Sequence, residues 1–233
     1  NGEGTYSWKG GASYTGQWVN DSKTGKGVMI WGDQSKYDGE WQSDMRHGKG
    51  TFYYTNGDKY VGDWSEDVQD GKGIYYFQNG ERYEGDYVNG ERTGQGIYVY
   101  TNGDKYVGQF SNGMQQGEGT FTWANGAEYT GHWKRNQRSG KGHYKWANGD
   151  EYEGTWKNNM ADGEGVLRTV DGSVYTGQFK NGREDGKGVL INKDGVRYEG
   201  TFKDGKKDGA FVETDSTGKV IRRGTYKFGH LEQ

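Results

Sequence analysis

The side chains that could take part in catalysis are four histidines, the carboxylates and a series of Gly-x-Gly pairs. His47, His132 and His143 fall at different positions of the repeat that runs through the chain, so they build no recurring constellation with His230 or each other. No Ser/His/Asp order and no paired metal-ligand spacing accompanies them. The Gly-x-Gly pairs lack the third glycine and the following helix of a dinucleotide-binding loop. The sequence therefore predicts a non-enzymatic protein without a metal or a cofactor.

The aromatic side chains offer a different chemistry, the binding of another molecule through apolar rings. A Tyr-x-Gly-x-aromatic motif recurs every 23 residues from Tyr14 to Phe202, and a Gly-x-Gly pair follows each of the first eight copies. The chain carries 9 Trp and 19 Tyr, and each such ring can bury roughly 150–250 Å². Self-similarity at a fixed period indicates a repeat architecture. Stacked repeats build long surfaces, so binding is the expected function.

Two segments of each repeat show the period of a β-strand. In the repeat from Tyr37 to Lys59, the residues that share a face are Tyr37, Gly39 and Trp41, then Gly48, Gly50, Phe52 and Tyr54. The alternate positions, such as Asp38 and Glu40, are polar. This one-sided pattern is typical of an antiparallel sheet with one solvated face. Each repeat is therefore predicted to be a β-hairpin.

The connections between these strands are predicted from the turn residues. The segment from Gln42 to His47 is interpreted as a polar loop. Asn56-Gly57 is a strong signal for a tight type I′ turn that leads into the next repeat. The same role is assigned to Asp171-Gly172 and Asp194-Gly195.

Composition excludes several classes of protein. The net charge is -3 with both signs interspersed, which gives no footprint for nucleic acid. The absence of cysteine rules out a disulfide framework and thiolate zinc sites. No apolar run approaches the ~18–20 residues that a membrane span needs, and no signal peptide is visible. We expect a cytoplasmic protein.

The repeat motif resembles the MORN repeat (membrane occupation and recognition nexus). The segments that carry the resemblance are Tyr83-Glu84-Gly85-Asp86-Tyr87-Val88-Asn89-Gly90 with Gly94-Gln95-Gly96, and Tyr152-Glu153-Gly154-Thr155-Trp156 with Gly163-Glu164-Gly165. The resemblance implies an all-β fold of tandem hairpins in an elongated, twisted, single-layer antiparallel sheet. It also implies a scaffold or targeting role at cytoskeletal or membrane-associated structures. Some members bind a partner helix in a groove, others self-associate, and the family name suggests lipid binding.

Departures from the motif define the expected domain organisation. Residues 1–13 match only the second strand of a repeat, which we interpret as part of a longer array. Residues 14–220 are predicted to form nine tandem repeats. Residues 221–233 are predicted to be a partial repeat or cap, since Phe211 replaces a motif glycine and Arg222 stands in the tyrosine position.

The predicted binding site is a groove lined by the last aromatic residue of each repeat. These residues are Trp31, Tyr54, Phe77, Tyr100, Trp123 and Trp146. The next two repeats have Thr169 and Asn192 at this place while the rest of the motif holds, which favours a binding surface that ends near residue 150. The alternative is that these rings belong to the core. The expected partner is a helical or extended segment of another protein, with self-association at one end as a further expectation.

The C-terminal repeats suggest a second hypothesis, a phosphoinositide-directed membrane tether. The basic residues concerned are Lys206, Lys207, Arg222 and Arg223. Binding to anionic lipid calls for clusters of ~4–8 basic residues, and here Asp204, Asp208 and Glu213 are interleaved with them. A solvated cap is the alternative reading of this segment. The function predicted from the sequence is therefore a partner-binding scaffold, with the lipid tether as its alternative.

Overall fold

A computed structural model describes residues 1–232, which contain 21 β-strands and no helix. The chain separates into two compact units, Asn1–Gln115 and Gln116–Gln233. The strands of the first unit are β1 (Gly2–Ser7), β2 (Ser13–Val19), β3 (Ser22–Ile30), β4 (Lys36–Gln42), β5 (Met45–Tyr53), β6 (Lys59–Ser65), β7 (Val68–Tyr76), β8 (Arg82–Val88), β9 (Glu91–Val99) and β10 (Lys105–Ser111). Strand β11 (Met114–Thr122) contains the boundary between the units.

The strands of the second unit continue the same alternation. They are β12 (Glu128–Lys134), β13 (Gln137–Lys145), β14 (Glu151–Lys157), β15 (Met160–Arg168), β16 (Val174–Lys180), β17 (Arg183–Ile191), β18 (Arg197–Lys203), β19 (Lys206–Thr214), β20 (Val220–Lys227) and β21 (His230–Leu231). With no helix in residues 1–232, none is long and apolar enough to cross a membrane.

Within each unit every strand pairs antiparallel with its neighbours in the chain. In the first unit the pairing runs from β1 with β2 to β9 with β10. In the second unit it runs from β11 with β12 to β20 with β21. The predicted all-β fold of tandem hairpin repeats in an antiparallel sheet is confirmed.

The two kinds of turn are the reverse of the sequence prediction. The predicted polar loop from Gln42 to His47 is wrong, because β4 and β5 are joined by only Ser43 and Asp44, with φ of 49° and 68°. Positive φ at both residues of a two-residue hairpin loop is the feature of a type I′ turn. Its positions in other repeats are filled by Asn, Asp, Gly, Glu and Arg, so no fixed dipeptide signalled it.

Asn56-Gly57 instead lies in a three-residue loop, whereas Asn-Gly fills the two-residue turn only in some repeats, as at Asn89-Gly90. The Tyr54 N–H donates to the Asp58 carbonyl and the Gly57 N–H donates to the Tyr54 carbonyl. Only Gly57 has positive φ, at 91°. Asn56 Oδ1 accepts from the Asp58 N–H at 3.0 Å, which is an Asx interaction. The predicted type I′ turn at Asn56-Gly57 is therefore wrong, and the asparagine is selected for its side-chain acceptor.

The core of each repeat from Tyr14 to Tyr175 is a tyrosine that lies across two paired glycines, while in the last repeat Phe211 replaces one of the two. The Tyr37 side chain is 0% exposed, and its ring covers Gly39 and Gly50, which face each other on β4 and β5. A methyl group on Gly50 would overlap this ring. The strand register shifts after Gly39, and the Tyr37 hydroxyl donates to the Glu40 carbonyl at 3.0 Å. Glycine is therefore required because the ring occupies the space of its side chain.

A row of perpendicular ring contacts links one repeat to the next. Tyr37 packs edge-on against Trp41 of its own repeat, at 5.2 Å between centroids, and against Trp64 of the following one, at 5.4 Å. The Trp41 indole N–H donates to the Gly27 carbonyl of the preceding repeat at 3.0 Å. These rings are buried. We call this set of tyrosines and their aromatic partners the inner ring row.

Replacement of Trp133 by alanine should destabilise the second unit by roughly 3–5 kcal/mol, the range for deletion of a large buried aromatic. Trp133 is 4% exposed, and its indole N–H donates to the Gly119 carbonyl at 3.0 Å. Because each repeat contacts only its neighbours, hydrogen exchange should rise in the flanking repeats and leave the segment from Tyr14 to Tyr37 protected.

Trp133→Phe is the matched control, since Phe110 and Phe179 occupy the same repeat position naturally. It should cost about 1–2 kcal/mol, mainly through the lost hydrogen bond. A uniform loss of protection along the whole chain after Trp133→Ala would show that the repeats unfold as one cooperative block.

Candidate functional site

The six residues predicted to line the groove lie at one structural position, immediately before the three-residue loop. Each donates its N–H across that loop, as Trp31 does to Ser35 and Trp146 does to Asp150. Trp146 is 38% exposed and the other five are half-buried. Their rings therefore belong partly to the packed sheet and partly to its surface, between the two alternatives that the sequence left open.

The structure brings these residues into continuous rows through aromatic residues that the sequence analysis did not assign to the site. In the first unit the row is Trp31, Phe52, Tyr54, Tyr75, Phe77, Tyr98 and Tyr100, with 4.5–5.8 Å between successive ring centroids. In the second unit it is Phe121, Trp123, Tyr144 and Trp146, at 4.6–5.2 Å. We call these residues the outer ring row. The intervening rings stand two residues before each predicted one, a spacing that places both on one face of a strand.

Basic side chains pack between the outer and inner ring rows. The Arg46 guanidinium carbon lies 5.1 Å from the Phe52 centroid and 4.4 Å from that of Trp64. The residues at this repeat position that stack on rings are Lys23, Arg46, Arg92, Arg138 and Lys207. We call them the cation row. Contacts of this kind contribute ~0.5–2 kcal/mol each, and the sequence analysis missed them because the position also holds Gln, Ala and Glu.

The polar edges of the outer ring row are bonded within the protein. Tyr75 donates its hydroxyl to Asp58 Oδ2 at 2.8 Å, and Tyr98 donates to Glu81 Oε2 at 2.5 Å. Burial, followed by the bond to Asp58, raises the pKa of Tyr75 above its ordinary value. Among residues 1–232, no buried side-chain nitrogen or oxygen atom lacks a hydrogen-bond partner. The groups that this face can present to a partner are therefore apolar ring faces and cationic side chains.

Depressions open along the outer ring row in both units. In the first unit a cavity of about 270 Å³ is lined by Tyr75, Phe77 and Arg92, among others. In the second unit a cavity of about 430 Å³ lies beside Arg138 and Trp146. Both contain a predicted groove residue and a member of the cation row.

The opposite face of the sheet, expected to be evenly polar, also contains depressions. A cavity of about 930 Å³ in the first unit is lined by Val61, Ile74, Ile97 and Val107 and by charged side chains. Lys49 and Lys72 form ion pairs with acidic residues of the next repeat on this face. The second unit has a cavity of about 690 Å³ at the corresponding place. No aromatic side chain lines either one.

The four basic residues assigned to a lipid or cap contact do not form a single exposed cluster. The Lys207 ammonium lies 4.1 Å from the Tyr198 centroid and 3.4 Å from Glu213 Oε1. Arg222 pairs with the same carboxylate at 3.3 Å. Lys206 and Arg223 are exposed. Half of the set is thus engaged by Glu213, whose carboxylate stands where the repeats from Phe52 to Tyr144 have an outer ring and the two preceding repeats have leucine.

Comparison with known families identifies the repeat from which this sheet is built. The sequence profile of the MORN repeat matches nine consecutive segments: 14–36, 37–59, 60–82, 83–105, 106–128, 129–151, 152–174, 175–197 and 198–210. The chain belongs to the MORN-repeat family. Its Tyr-x-Gly motif and its inner ring row are therefore features of a MORN-repeat sheet.

Comparisons with individual proteins add little to the family assignment. No curated protein matches this MORN-repeat chain. Among solved structures it is similar to the TCP10 domain of Danio rerio CPAP in complex with a peptide of STIL, at 11% identity and a TM-score of 0.49 over 96% of this chain and 99% of that one. It is also similar to the SAS-4 (dCPAP) TCP domain of Drosophila melanogaster in complex with a proline-rich motif of Ana2, at 16% identity and a TM-score of 0.42 over 67% and 85%. Likenesses of this size carry no argument about function.

The buried tyrosines of the MORN repeats should make the sheet sensitive to alkali. Burial raises the pKa of Tyr83, Tyr152 and Tyr198 to about 12 each, whereas an unfolded tyrosine titrates near ~10. Their stabilising contribution is complete below pH ~10 and is lost as the pH rises through the folded-state pKa. Unfolding by circular dichroism should therefore begin above pH ~10, together with tyrosinate absorbance. Ionisation of these three rings near pH ~10 with the sheet intact would contradict the tyrosine–glycine packing.

Proposed function

We propose that this MORN-repeat chain is a non-enzymatic interaction scaffold that binds a helical or extended segment of a partner protein along the outer ring row. The observation that carries the proposal is the continuity of half-exposed rings in each unit. Contiguous exposed apolar surface is uncommon on soluble monomers and marks interaction sites. Tyr, Trp and Arg, which make up the row and its cationic neighbours, are the residues that dominate binding energy at interfaces.

The spacing of the rings suits an elongated occupant. Equivalent rings in neighbouring repeats are two strand spacings apart, about 9–10 Å. A helix with a rise of ~1.5 Å per residue covers this interval in six to seven residues, close to a heptad. An extended segment covers it in about three residues. In both cases one segment contacts several repeats in succession.

The row ends at a defined place. Trp146 is its last ring, and Thr169 occupies the next position, where its hydroxyl donates to Asp171 at 2.6 Å. The loop at Thr169 keeps the hydrogen bonds of the other loops. The local fold therefore does not need an aromatic residue here, which supports a binding role for the rings that precede it.

The double variant Phe77→Ala with Tyr100→Ala should abolish capture of the natural partner, because equivalent rings of two adjacent repeats are lost. Single losses of ~2 kcal/mol or more are typical of central interface aromatics. Proteins captured from the native cytoplasm would be identified by mass spectrometry, and binding would be repeated with the purified partner segment.

Thr169→Ala is the matched control and should bind as the wild type does. Both variants must keep the wild-type circular dichroism, so that lost binding is not lost fold. If the folded double variant binds the purified segment with unchanged affinity, the outer ring row is not the binding site.

The competing proposal is a phosphoinositide-directed tether at the C-terminal repeats. It is supported by the exposure of Lys206 and Arg223 and is weakened by the engagement of Lys207 and Arg222 with Glu213. Lipid binding falls steeply as salt rises, whereas contact with the rings depends little on salt. Partner capture that survives high salt therefore favours the scaffold. A scaffold of this kind would act in the cytoplasm, at cytoskeletal or membrane-associated structures.

We also propose that the C-terminal repeat governs self-association, including a homodimer. Phe211 stacks on Tyr198 at 5.2 Å and an interplanar angle of 21°, and it packs on Tyr226. Deletion of residues 209–233 would expose Tyr198 and the backbone edge of β18, and unpaired strand edges template further pairing. Sedimentation velocity should therefore show a changed oligomeric state, or solubility should fall.

A shorter deletion, of residues 228–233, leaves β19 paired with β20 and serves as the control. The same oligomeric state and the same solubility for the long deletion and the full chain would show that this end neither caps the sheet nor dimerises.

A further inference from the structure

Arg138, a member of the cation row, lacks the turn carboxylate that neutralises Arg46. Arg46 donates from Nε to Asp67 Oδ1 at 3.0 Å, and Asp67 lies in the two-residue turn of the next repeat with φ of 70°. Arg138 occupies the same position four repeats later, and its turn residue is Asn159, with φ of 67°. Asn159 Oδ1 accepts from the Arg138 backbone N–H, and its carbonyl accepts from Nη2, both at 2.8 Å. Arg138 therefore keeps the hydrogen bonds to the turn residue, but that residue carries no negative charge.

Rings surround the Arg138 guanidinium without neutralising it. It lies 4.6 Å from the Trp156 centroid and 5.7 Å from that of Trp123. Within residues 1–232 it forms no ion pair. Asp150, an acidic residue that lines the same cavity, accepts from Asn148 Nδ2 at 2.8 Å and from the Val170 N–H at 2.9 Å. Burial also lowers the pKa of Arg138, so a carboxylate that reached it would relieve a desolvated charge.

The next two repeats place a hole and then a carboxylate at this position. Ala161 is the equivalent residue of the repeat after Arg138, and its small side chain lines the cavity of about 430 Å³ together with Trp156, Leu167 and Phe179. Glu184 follows Ala161 and lines the same cavity. Its side chain makes no ion pair with any part of the chain that the structure describes. Three consecutive repeats thus present a cation, an apolar hole and an anion.

We infer that this cavity binds an extended partner segment that carries an acidic residue for Arg138, an apolar residue for the space above Ala161 and a basic residue for Glu184. Equivalent positions in successive repeats are about 9–10 Å apart. A polyproline II segment has three residues per turn and a rise of ~3.1 Å, or ~9.3 Å per turn, so every third residue faces the sheet in step with the repeats. The expected motif is acid-x-x-apolar-x-x-base. This inference rests on the proposed function, since the segment would continue along the outer ring row.

The test uses the full chain and two synthetic peptides, measured by calorimetry. The first contains Glu-Pro-Pro-Leu-Pro-Pro-Lys, preceded by Leu-Pro-Pro triplets and followed by Pro-Pro-Leu triplets so that every third residue stays in register, and the second replaces its Glu and Lys by Gln. The wild type should bind the charged peptide at least about tenfold more tightly, as expected for charged hydrogen bonds in a partly buried site.

Asn159→Asp is the most informative variant, because it restores the carboxylate that Arg46 finds in Asp67. Asp67 already adopts the required positive φ, so the change should keep or raise the thermal midpoint. It should lower the affinity for the charged peptide about tenfold and leave the affinity for the neutral peptide unchanged. Asn158→Asp adds the same charge one residue earlier, at an exposed side chain with φ of 49°, and should change neither affinity by more than about twofold. Ala161→Leu should lower the affinity for both peptides, because the larger side chain fills the space above residue 161 in the cavity.

Equal affinity of the wild type for the two peptides, or no binding of either, would overturn the inference. An equal effect of Asn158→Asp and Asn159→Asp would also overturn it, because the loss would then reflect general charge. If both peptides bind equally and Trp146→Ala removes that binding, the outer ring row stands as a site while the charged motif fails. The two proposals can therefore fail separately.

Discussion

The packing of one tyrosine ring on two cross-strand glycines is the constraint on which the rest of the sheet depends. The Tyr37 ring fills the space that side chains on Gly39 and Gly50 would occupy, and its hydroxyl reaches the Glu40 carbonyl where the strand register shifts. The ring is thereby buried by glycine backbone and by the neighbouring rings, without a second layer of structure. Because burial of large rings contributes most of the apolar stabilisation available here, a chain with few aliphatic residues can fold as a single sheet.

The other contacts pass this arrangement from one repeat to the next. Tryptophan N–H groups bond to the glycine carbonyl of the preceding repeat, and each tyrosine contacts an aromatic ring on both sides. The two-residue turn adds a backbone bond to the preceding repeat, as the Asp67 N–H does to the Arg46 carbonyl. These contacts use fixed positions, so the remaining positions of the face are free to differ. The outer ring row and the cation row use that freedom.

Much of the fold could be predicted because the motif residues act within their own repeat. Tyr37, Gly39 and Gly50 share a strand face by simple alternation, and the hairpins follow from it. The turns were less predictable, since an Asn-Gly pair fits either a type I′ turn or the glycine end of a three-residue loop, and Asn56 uses its side chain to select the second. The cation row was missed because its meaning depends on rings from two repeats, which the sequence does not show to be adjacent. The missing carboxylate partner of Arg138 could be recognised only after Arg46 and Asp67 were seen together.

The direction of the strands has a mechanical consequence for a scaffold. In each unit the strands follow one another in chain order, so their hydrogen bonds point along the line from the first strand to the last. Tension between the ends of a unit would act parallel to these hydrogen bonds. It would therefore break them one strand at a time and would not shear many at once. The ring contacts of the inner ring row would then break one repeat at a time. Such a unit would lengthen in steps of one hairpin under load, while the hairpins not yet reached kept their surfaces intact.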